Sequence, residues 1–276
     1  MYSRAYVEIT NICNRNCSFC HGHSRAPRLM SEEEFRIVAQ KIFTQTEYVY
    51  YHVMGEPLTH PLLPRFIGIA SEYGLRSAVT TNGTLLDKCG EALVKVGVYK
   101  VNISLHSFEN EKDYGKYINS CLDFADMASK NGVLVVLRLW NSFFEGGKNE
   151  DIVKTIRERF DDCEWAIGKR GVRIRHKLHL EYGERFDWPD MMAEESCSRA
   201  FCYGLADHFG VLCDGRVIPC CLDAEGDICL GNIFEDNIEA ILSSGRARNI
   251  REGFKNGVAC EELCRRCGYA RRFVES

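Results

Sequence analysis

No apolar run in the chain reaches the roughly 18 residues that a bilayer span needs. The longest, VLVVLRLW from Val133, is interrupted by Arg138 and reads as a buried strand. A charged-then-apolar leader is missing from MYSRAYVEIT, so no signal peptide is expected and the cytoplasm is the expected compartment. Strong charge of one sign is missing too. The formal net charge of −4 argues against nucleic-acid binding as the main activity, and the basic tail CRRCGYARRF reads as a solvated terminus. With 45% hydrophobic residues over 276 positions, disorder is excluded, and one large domain or a large and a small one can bury a core.

What the chain has in excess is cysteine, fifteen of them. A disulfide framework suits a small secreted chain; clustered cysteines in a large leaderless one point to metal. Cys89, Cys121 and Cys163 are isolated and read as small core residues. In TNICNRNCSFCHG, Cys13, Cys17 and Cys20 stand together without the fourth cysteine that would close a tetrahedral site. Thiolates suit iron–sulfur clusters and zinc. On this loop alone, structural zinc with His21 or His23 as fourth ligand stays open.

Strand-like runs start at Ala5, Tyr48, Arg76, Lys100, Val133 and Val172, rich in β-branched and aromatic residues. Helical patterns lie between them: one from the N-cap Ser31 with Phe35, Val38 and Ile42 at helical spacing, others over Leu62–Tyr73, Leu85–Val96, Ile118–Lys130 and Glu150–Phe160. Six strands alternating with helices mean a parallel sheet, doubly wound or barrel-like, with chemistry at the strands' C-terminal ends. The cysteine loop follows the first strand. The next three end in MGEPL, TTNGT and NISLHS, each of which also reads as ordinary turn chemistry. After about Trp188 the alternation stops, and the remainder, glycine-rich and short of apolar material, holds nine cysteines. This predicts a first domain over 1–187 and a small metal-held one over 188–276.

Taken together and in order, C-x3-C-x2-C, GEP and the strand-end loops resemble the radical S-adenosylmethionine superfamily, over essentially the whole chain. The resemblance implies a partial (β/α)6 TIM-like barrel in which Cys13, Cys17 and Cys20 hold three irons of a 4Fe–4S cluster. The unliganded iron chelates S-adenosylmethionine; one-electron cleavage then yields methionine and a 5′-deoxyadenosyl radical that abstracts a substrate hydrogen. It further implies Phe19 near the adenine, Gly55, Glu56 and Pro57 at the methionyl ammonium, Asn82 in the cofactor site, Ser104 toward the ribose or carboxylate, and Arg138 toward the cofactor's carboxylate or the substrate.

In CYGLADHFGVLCDGRVIPC, DG is a hairpin turn between two short strands, and CRRC supplies a distant C-x2-C pair, a way for a small domain to gather four ligands. With LGNI at Leu230 and the helix after it, near Ile238–Ser243, this resembles the shortened SPASM, or twitch, domain. Full SPASM domains continue such a pair with further cysteines, and here Phe273 stands where the next would fall. The resemblance implies one auxiliary 4Fe–4S cluster on Cys202, Cys220, Cys264 and Cys267, with Cys197 and Cys260 in reserve. Cys221 is expected to point away from its neighbour, and Cys213 and Cys229 to be structural.

The resemblance implies a radical oxidoreductase that oxidises a small molecule and passes an electron to the auxiliary cluster, served by a flavodoxin- or ferredoxin-type donor. Two alternatives stay open: a maturase that oxidises or cross-links a peptide side chain, and a non-catalytic iron–sulfur or zinc scaffold. Neither nucleic acid nor membrane is an expected partner. A first strand that begins by residue 5 tilts the expectation toward a small substrate, or toward a peptide delivered by a separate protein. Among substrate-facing candidates His21, His23, His52, His106, His176 and Arg175, His106 stands two residues beyond Ser104 on the same face. It can take the proton that an oxidised radical sheds; a buried structural histidine is the alternative.

Overall fold

The computed structural model describes residues 1–108, 113–142, 148–168, 171–195 and 200–273. The chain opens with β1 (Arg4–Val7), α1 (Glu32–Ile42), β2 (Tyr48–Tyr51), α2 (Leu63–Glu72), β3 (Arg76–Thr81) and α3 (Leu86–Lys95). It continues with β4 (Lys100–Ser104), α4 (Tyr114–Lys130), β5 (Leu134–Ser142) and α5 (Asn149–Arg159). Ser31 caps α1 with a reciprocal pair: its hydroxyl accepts from the Glu34 amide at 3.1 Å, and the Glu34 carboxylate accepts from the Ser31 amide at 2.8 Å.

From β1 to β5 the strands are parallel neighbours in chain order. The sixth departs from expectation. The run from Val172 is two strands, β7 (Gly171–Arg175) and β8 (Leu178–Glu184), antiparallel to each other, with the short β6 (Ala166–Gly168) beyond. Lys177, at φ +64°, turns the chain between them, so β8 is the strand that joins β5 in parallel. On the other side β9 (His208–Val211) pairs in parallel with β1, followed by antiparallel β10 (Arg216–Ile218) and β11 (Gly231–Asn232). One sheet therefore runs β11-β10-β9-β1-β2-β3-β4-β5-β8-β7-β6, an open α/β sheet that makes a partial TIM-like barrel.

Alternation along each strand separates two environments. Ala5, Val7, Val49, Tyr51, Val79, Val101, Ile103, Val135 and Leu137 are buried with Phe35, Phe66, Leu93, Ile118 and Leu122 of the helices. Their strand neighbours Tyr6, Tyr50, Lys100, Ser104, Arg138 and Glu181 line a cavity on the other face. The same apolar core runs on into the C-terminal region. It takes in Phe209 and Val211 of β9, Ile238 and Ile241 of α6 (Ile238–Leu242), and Ala247, Ile250 and Phe254 of α7 (Gly245–Lys255), ahead of the short α8 (Glu262–Arg265). This region is thus better supplied with apolar contacts than its composition suggested, and α7, capped by Ser244, is a helix the sequence reading had not placed.

Candidate active site

The cysteine loop is tied down at its stem. Asn11 donates from its amide group to the Ala26 carbonyl at 2.9 Å and accepts from the Arg28 amide at 2.7 Å, so the two ends of the loop close on each other. Cys13, Cys17 and Cys20 sit on the exposed arc, with the Cys20 amide donating to the Cys17 carbonyl at 3.1 Å and the Cys17 thiol 3.6 Å from the Ser107 carbonyl after β4. The imidazole Nε2 of His23 is 2.8 Å from the Asn11 carbonyl, and the ring of His21 stacks on Trp188 with centroids 6.1 Å apart. His23 thus braces the loop by one ring nitrogen.

Gly55 fixes how the second strand's loop meets this stem. Its φ is +77°, and a Cβ there would lie 2.4 Å from the Thr10 carbonyl oxygen, so only glycine allows the two backbones to cross. Pro57 then starts a 3₁₀ turn over Pro57–Thr59. The Glu56 carboxylate is buried and divides its oxygens between two loops, accepting from the Leu58 amide at 3.0 Å and from the Asn82 amide at 2.7 Å. Burial pushes its pKa up to about 7 against the pull of those amides. Asn82 carries the tie onward, donating to the Asn14 side chain at 2.8 Å and accepting from the Tyr117 hydroxyl at its carbonyl at 2.7 Å. Glu56 and Asn82 therefore hold the loops after β2 and β3 against the cysteine loop; neither lines the cavity.

Phe19, Ser104, His106 and Arg138 do line it. The Phe19 ring lies between His106, 4.8 Å away, and the Arg185 guanidinium at 5.4 Å, while the Trp188 indole donates to the Phe19 carbonyl at 3.0 Å. His106 is buried, its Nδ1 3.2 Å from the Arg138 carbonyl and 3.3 Å from the Trp140 amide, and it can satisfy only one of them in a given tautomer. Burial lowers its pKa to about 4, so the ring is neutral at neutral pH and a weaker base than an unperturbed histidine. Arg138 stacks over Trp140 at 4.6 Å with Glu181 at 3.4 Å.

Across the cavity, Cys202, Cys220, Cys264 and Cys267 form part of the same wall. Burial first, and then the mutual proximity of these sulfurs, hold the Cys220 and Cys264 thiols well above their ordinary pKa. Gly204 stands between Cys202 and Cys220, since a Cβ there would lie 3.7 Å from the Cys202 sulfur and from the Cys220 Cβ. Cys221 also lines the cavity, near Tyr6. It lies past the end of β10, where strand alternation no longer governs direction. Cys260 turns to α7, its thiol 3.5 Å from the Asn249 carbonyl, and Cys197 lies outside the described residues. The Cys213 amide is 3.3 Å from Glu8, and the Cys229 thiol 3.6 Å from the Gly231 carbonyl, both in structural settings.

Comparison with known families and proteins bears on this arrangement. The profile of the Radical SAM superfamily matches residues 7–156, more than half of the chain, and that of an iron–sulfur cluster-binding (SPASM) domain matches residues 202–268. The chain belongs to the radical S-adenosylmethionine superfamily. It is 22% identical over 277 residues to an S-adenosyl-L-methionine-dependent 2-deoxy-scyllo-inosamine dehydrogenase of Niallia circulans, covering 97% of this chain and 93% of that protein. It is 27% identical over 271 residues to AlbA, an antilisterial bacteriocin subtilosin biosynthesis protein of Bacillus subtilis, covering 87% and 59%. The crystal structure of BtrN with AdoMet and 2-DOIA shares the fold at a TM-score of 0.65 and 18% identity, over 97% of this chain and 93% of that one. Of the GTP 3′,8-cyclases it also matches, the chain spans 34% of the length of one from Sulfurisphaera tokodaii and 61% of one from Chlorobaculum tepidum.

As a radical S-adenosylmethionine enzyme with a SPASM region, the chain uses S-adenosylmethionine and iron–sulfur clusters. Its donor sets fit these groups. Both are thiols, the ligand of choice for iron–sulfur clusters. The cavity between them measures about 1160 Å³.

The sequence reading missed a buried ion pair behind the site. Glu8 of the strand end is fully buried and takes both arms of Arg25 at 2.7 Å, while accepting from the Met54 amide at 3.0 Å. Arg25 also donates to the Ala224 carbonyl at 2.8 Å, so the cysteine loop, the second-strand loop and the C-terminal region share one brace. A Glu just after the first strand and an Arg in a loop carry no spacing signal that would pair them.

Proposed function

We propose that this enzyme ends its radical reaction in the two-electron oxidation of a small molecule, with the electron leaving through one auxiliary 4Fe–4S cluster on Cys202, Cys220, Cys264 and Cys267. The observation that carries this reading is that Cys20 of the first cysteine set and the four C-terminal thiols line one cavity of about 1160 Å³. A volume just above that of ordinary small-ligand sites, about 300–1,000 Å³, that must also admit the cofactors favours a small substrate over a long peptide. When bound, the cofactors supply one-electron cleavage of S-adenosylmethionine, hydrogen-atom abstraction and an acceptor for the substrate's second electron. For an alcohol, the C–H hydrogen leaves in 5′-deoxyadenosine, the O–H hydrogen leaves as a proton, and methionine and a ketone are the products.

In this reading Cys13, Cys17 and Cys20 hold the first cluster on the exposed arc of their loop, where a flavodoxin- or ferredoxin-type donor can approach. Phe19 flanks the adenine and Ser104 the ribose or carboxylate. The Gly55–Glu56–Pro57 segment meets the methionyl ammonium through backbone carbonyls, held from behind by the Glu56 carboxylate and Asn82. His106 receives the departing proton. A neutral imidazole with a pKa of about 4 suffices there, because a protonated ketone is a strong acid once the electron has gone.

Anaerobic incubation with S-adenosylmethionine, dithionite and fractionated cell extract, followed by mass spectrometry, tests the proposal. The expected product is two hydrogens lighter than its precursor, with one 5′-deoxyadenosine per product. A product of unchanged mass, or a modified peptide, would overturn it.

A further inference from the structure

The cavity is also lined by a group of cations, Arg4, Lys100 and Arg138, of which only Arg138 has been given a role above. Arg4 of β1 and Lys100 of β4 approach the same Tyr50 ring, at 5.7 and 6.0 Å from its centroid. The two cations therefore share one aromatic ring. Arg138 of β5 is the next cation along the wall, stacked on Trp140. The Nε atom of Arg4 is a buried donor without a hydrogen-bond partner among the described residues, and the Arg138 Nε has only Glu181, at 3.4 Å. Such donors are costly to leave unmet and indicate that something else satisfies them.

Two carboxylates answer two of the three charges: Asp207 lies 2.6 Å from Arg4, and Glu181 lies 3.4 Å from Arg138. Lys100 has the Tyr50 ring and, among the described residues, no carboxylate of its own. Burial, and then the fields of Arg138 and Arg4, lower its pKa to about 8 in spite of Glu181. His52, the ring beside Tyr6, is also made harder to protonate, by burial and by the same two arginines. Among these three cations and two carboxylates the balance is one positive charge, that of Lys100.

We propose that the substrate bears a carboxylate, and that it seats against Lys100 between the Tyr50 ring and Arg138. The surplus of a single charge fits a monoanion. A phosphate dianion would leave a buried negative charge uncompensated. Beyond the cavity floor, the acids Asp187, Asp190 and Asp223 line the side built from the C-terminal region, and Asp223 is already engaged by the Gly226 and Asp227 amides at 2.9 Å. An anion approaching that side would meet like charge. The inference rests on the proposed small-molecule reading, but its test reads binding and does not depend on turnover.

Two of the three tryptophans, Trp140 and Trp188, line the cavity, so intrinsic fluorescence of the anaerobic holoenzyme with S-adenosylmethionine reports its occupancy. Acetate, succinate, citrate and D-gluconate are titrated beside acetamide, succinamide, glycerol and D-glucitol, with inorganic phosphate as a separate arm. At least one carboxylate should bind about tenfold or more tightly than its neutral counterpart, since charge-assisted bonds are worth at least about 1.4 kcal/mol. That preference should fall below twofold in Lys100→Met and persist in Lys100→Arg. A wild type with no preference for carboxylates overturns the proposal without recourse to any variant. So does a preference unchanged in Lys100→Met, or tight binding of phosphate alone. Loss of 5′-deoxyadenosine formation with the carboxylate preference intact would instead count against the catalytic reading.

Discussion

Replacing Arg25 by Met removes one side of a pair that is sealed from water, with side-chain exposures of 9% for Arg25 and 0% for Glu8. Methionine keeps most of the buried stem but supplies no charge. Glu8 would be left with the Met54 amide at 3.0 Å and the Cys213 amide at 3.3 Å as partners. Removing one partner of a buried ion pair costs about 3–5 kcal/mol, and two surviving amide bonds put this case at the lower end, about 3 kcal/mol. If that penalty falls on local opening, the population of the open form rises about 150-fold. Amide hydrogen exchange read by mass spectrometry on the segments holding Met54 and Cys213 should show it, because both amides donate to Glu8. Adding Glu8→Gln should recover a large part of the loss, since a buried neutral amide needs no counter-charge. Exchange within threefold of wild type in both segments, or a double variant as impaired as Arg25→Met, would refute the reasoning.

Three further outcomes follow from the loop geometry. Cys17→Ala should abolish 5′-deoxyadenosine formation while the far-ultraviolet circular dichroism stays that of wild type, because a loop and not the core loses a ligand. Glu56→Ala should weaken S-adenosylmethionine binding by at least about tenfold, about 1.4 kcal/mol, with iron content unchanged; unchanged affinity in equilibrium dialysis would mean that Asn82 and Leu58 hold their loops without it. Gly55→Ala places a methyl group 2.4 Å from the Thr10 carbonyl at a φ of +77°. It should lower both thermal stability and the iron retained by the cysteine loop, which parallel melting and iron assays would show.

The β/α alternation and the helix caps were legible because they are local: β-branched runs, Ser31 with Glu34, and glycines after α2, α3 and α4. The division of one run into β7 and β8 was not, since Lys177 in a left-handed turn carries no glycine or asparagine to announce it. Helix α7 was hidden by its arginines, although Ser244 followed by Ala247, Ile250 and Phe254 is a capped helical pattern. Within the site, motif spacing brought Phe19, Ser104, His106 and Arg138 to one cavity. It did not reveal that Glu56 and Asn82 act as ties, because their partners are backbone amides and side chains of other loops. The cationic floor stayed invisible for a similar reason. Arg4, Lys100 and Arg138 are far apart in sequence, and only the pleat and pairing of their strands bring them to one cavity.

The account's central claim, that one cluster cleaves the cofactor and a second, fully ligated one takes the substrate's electron, is tested most directly by Cys202→Ala combined with Cys264→Ala. Reconstituted wild type should hold about eight irons and the double variant about four. The variant should still cleave S-adenosylmethionine slowly yet form no oxidised product, because the radical source is intact and the electron's exit is gone. Normal turnover by a variant holding about four irons would contradict the claim and reduce the C-terminal thiols to a brace for the fold.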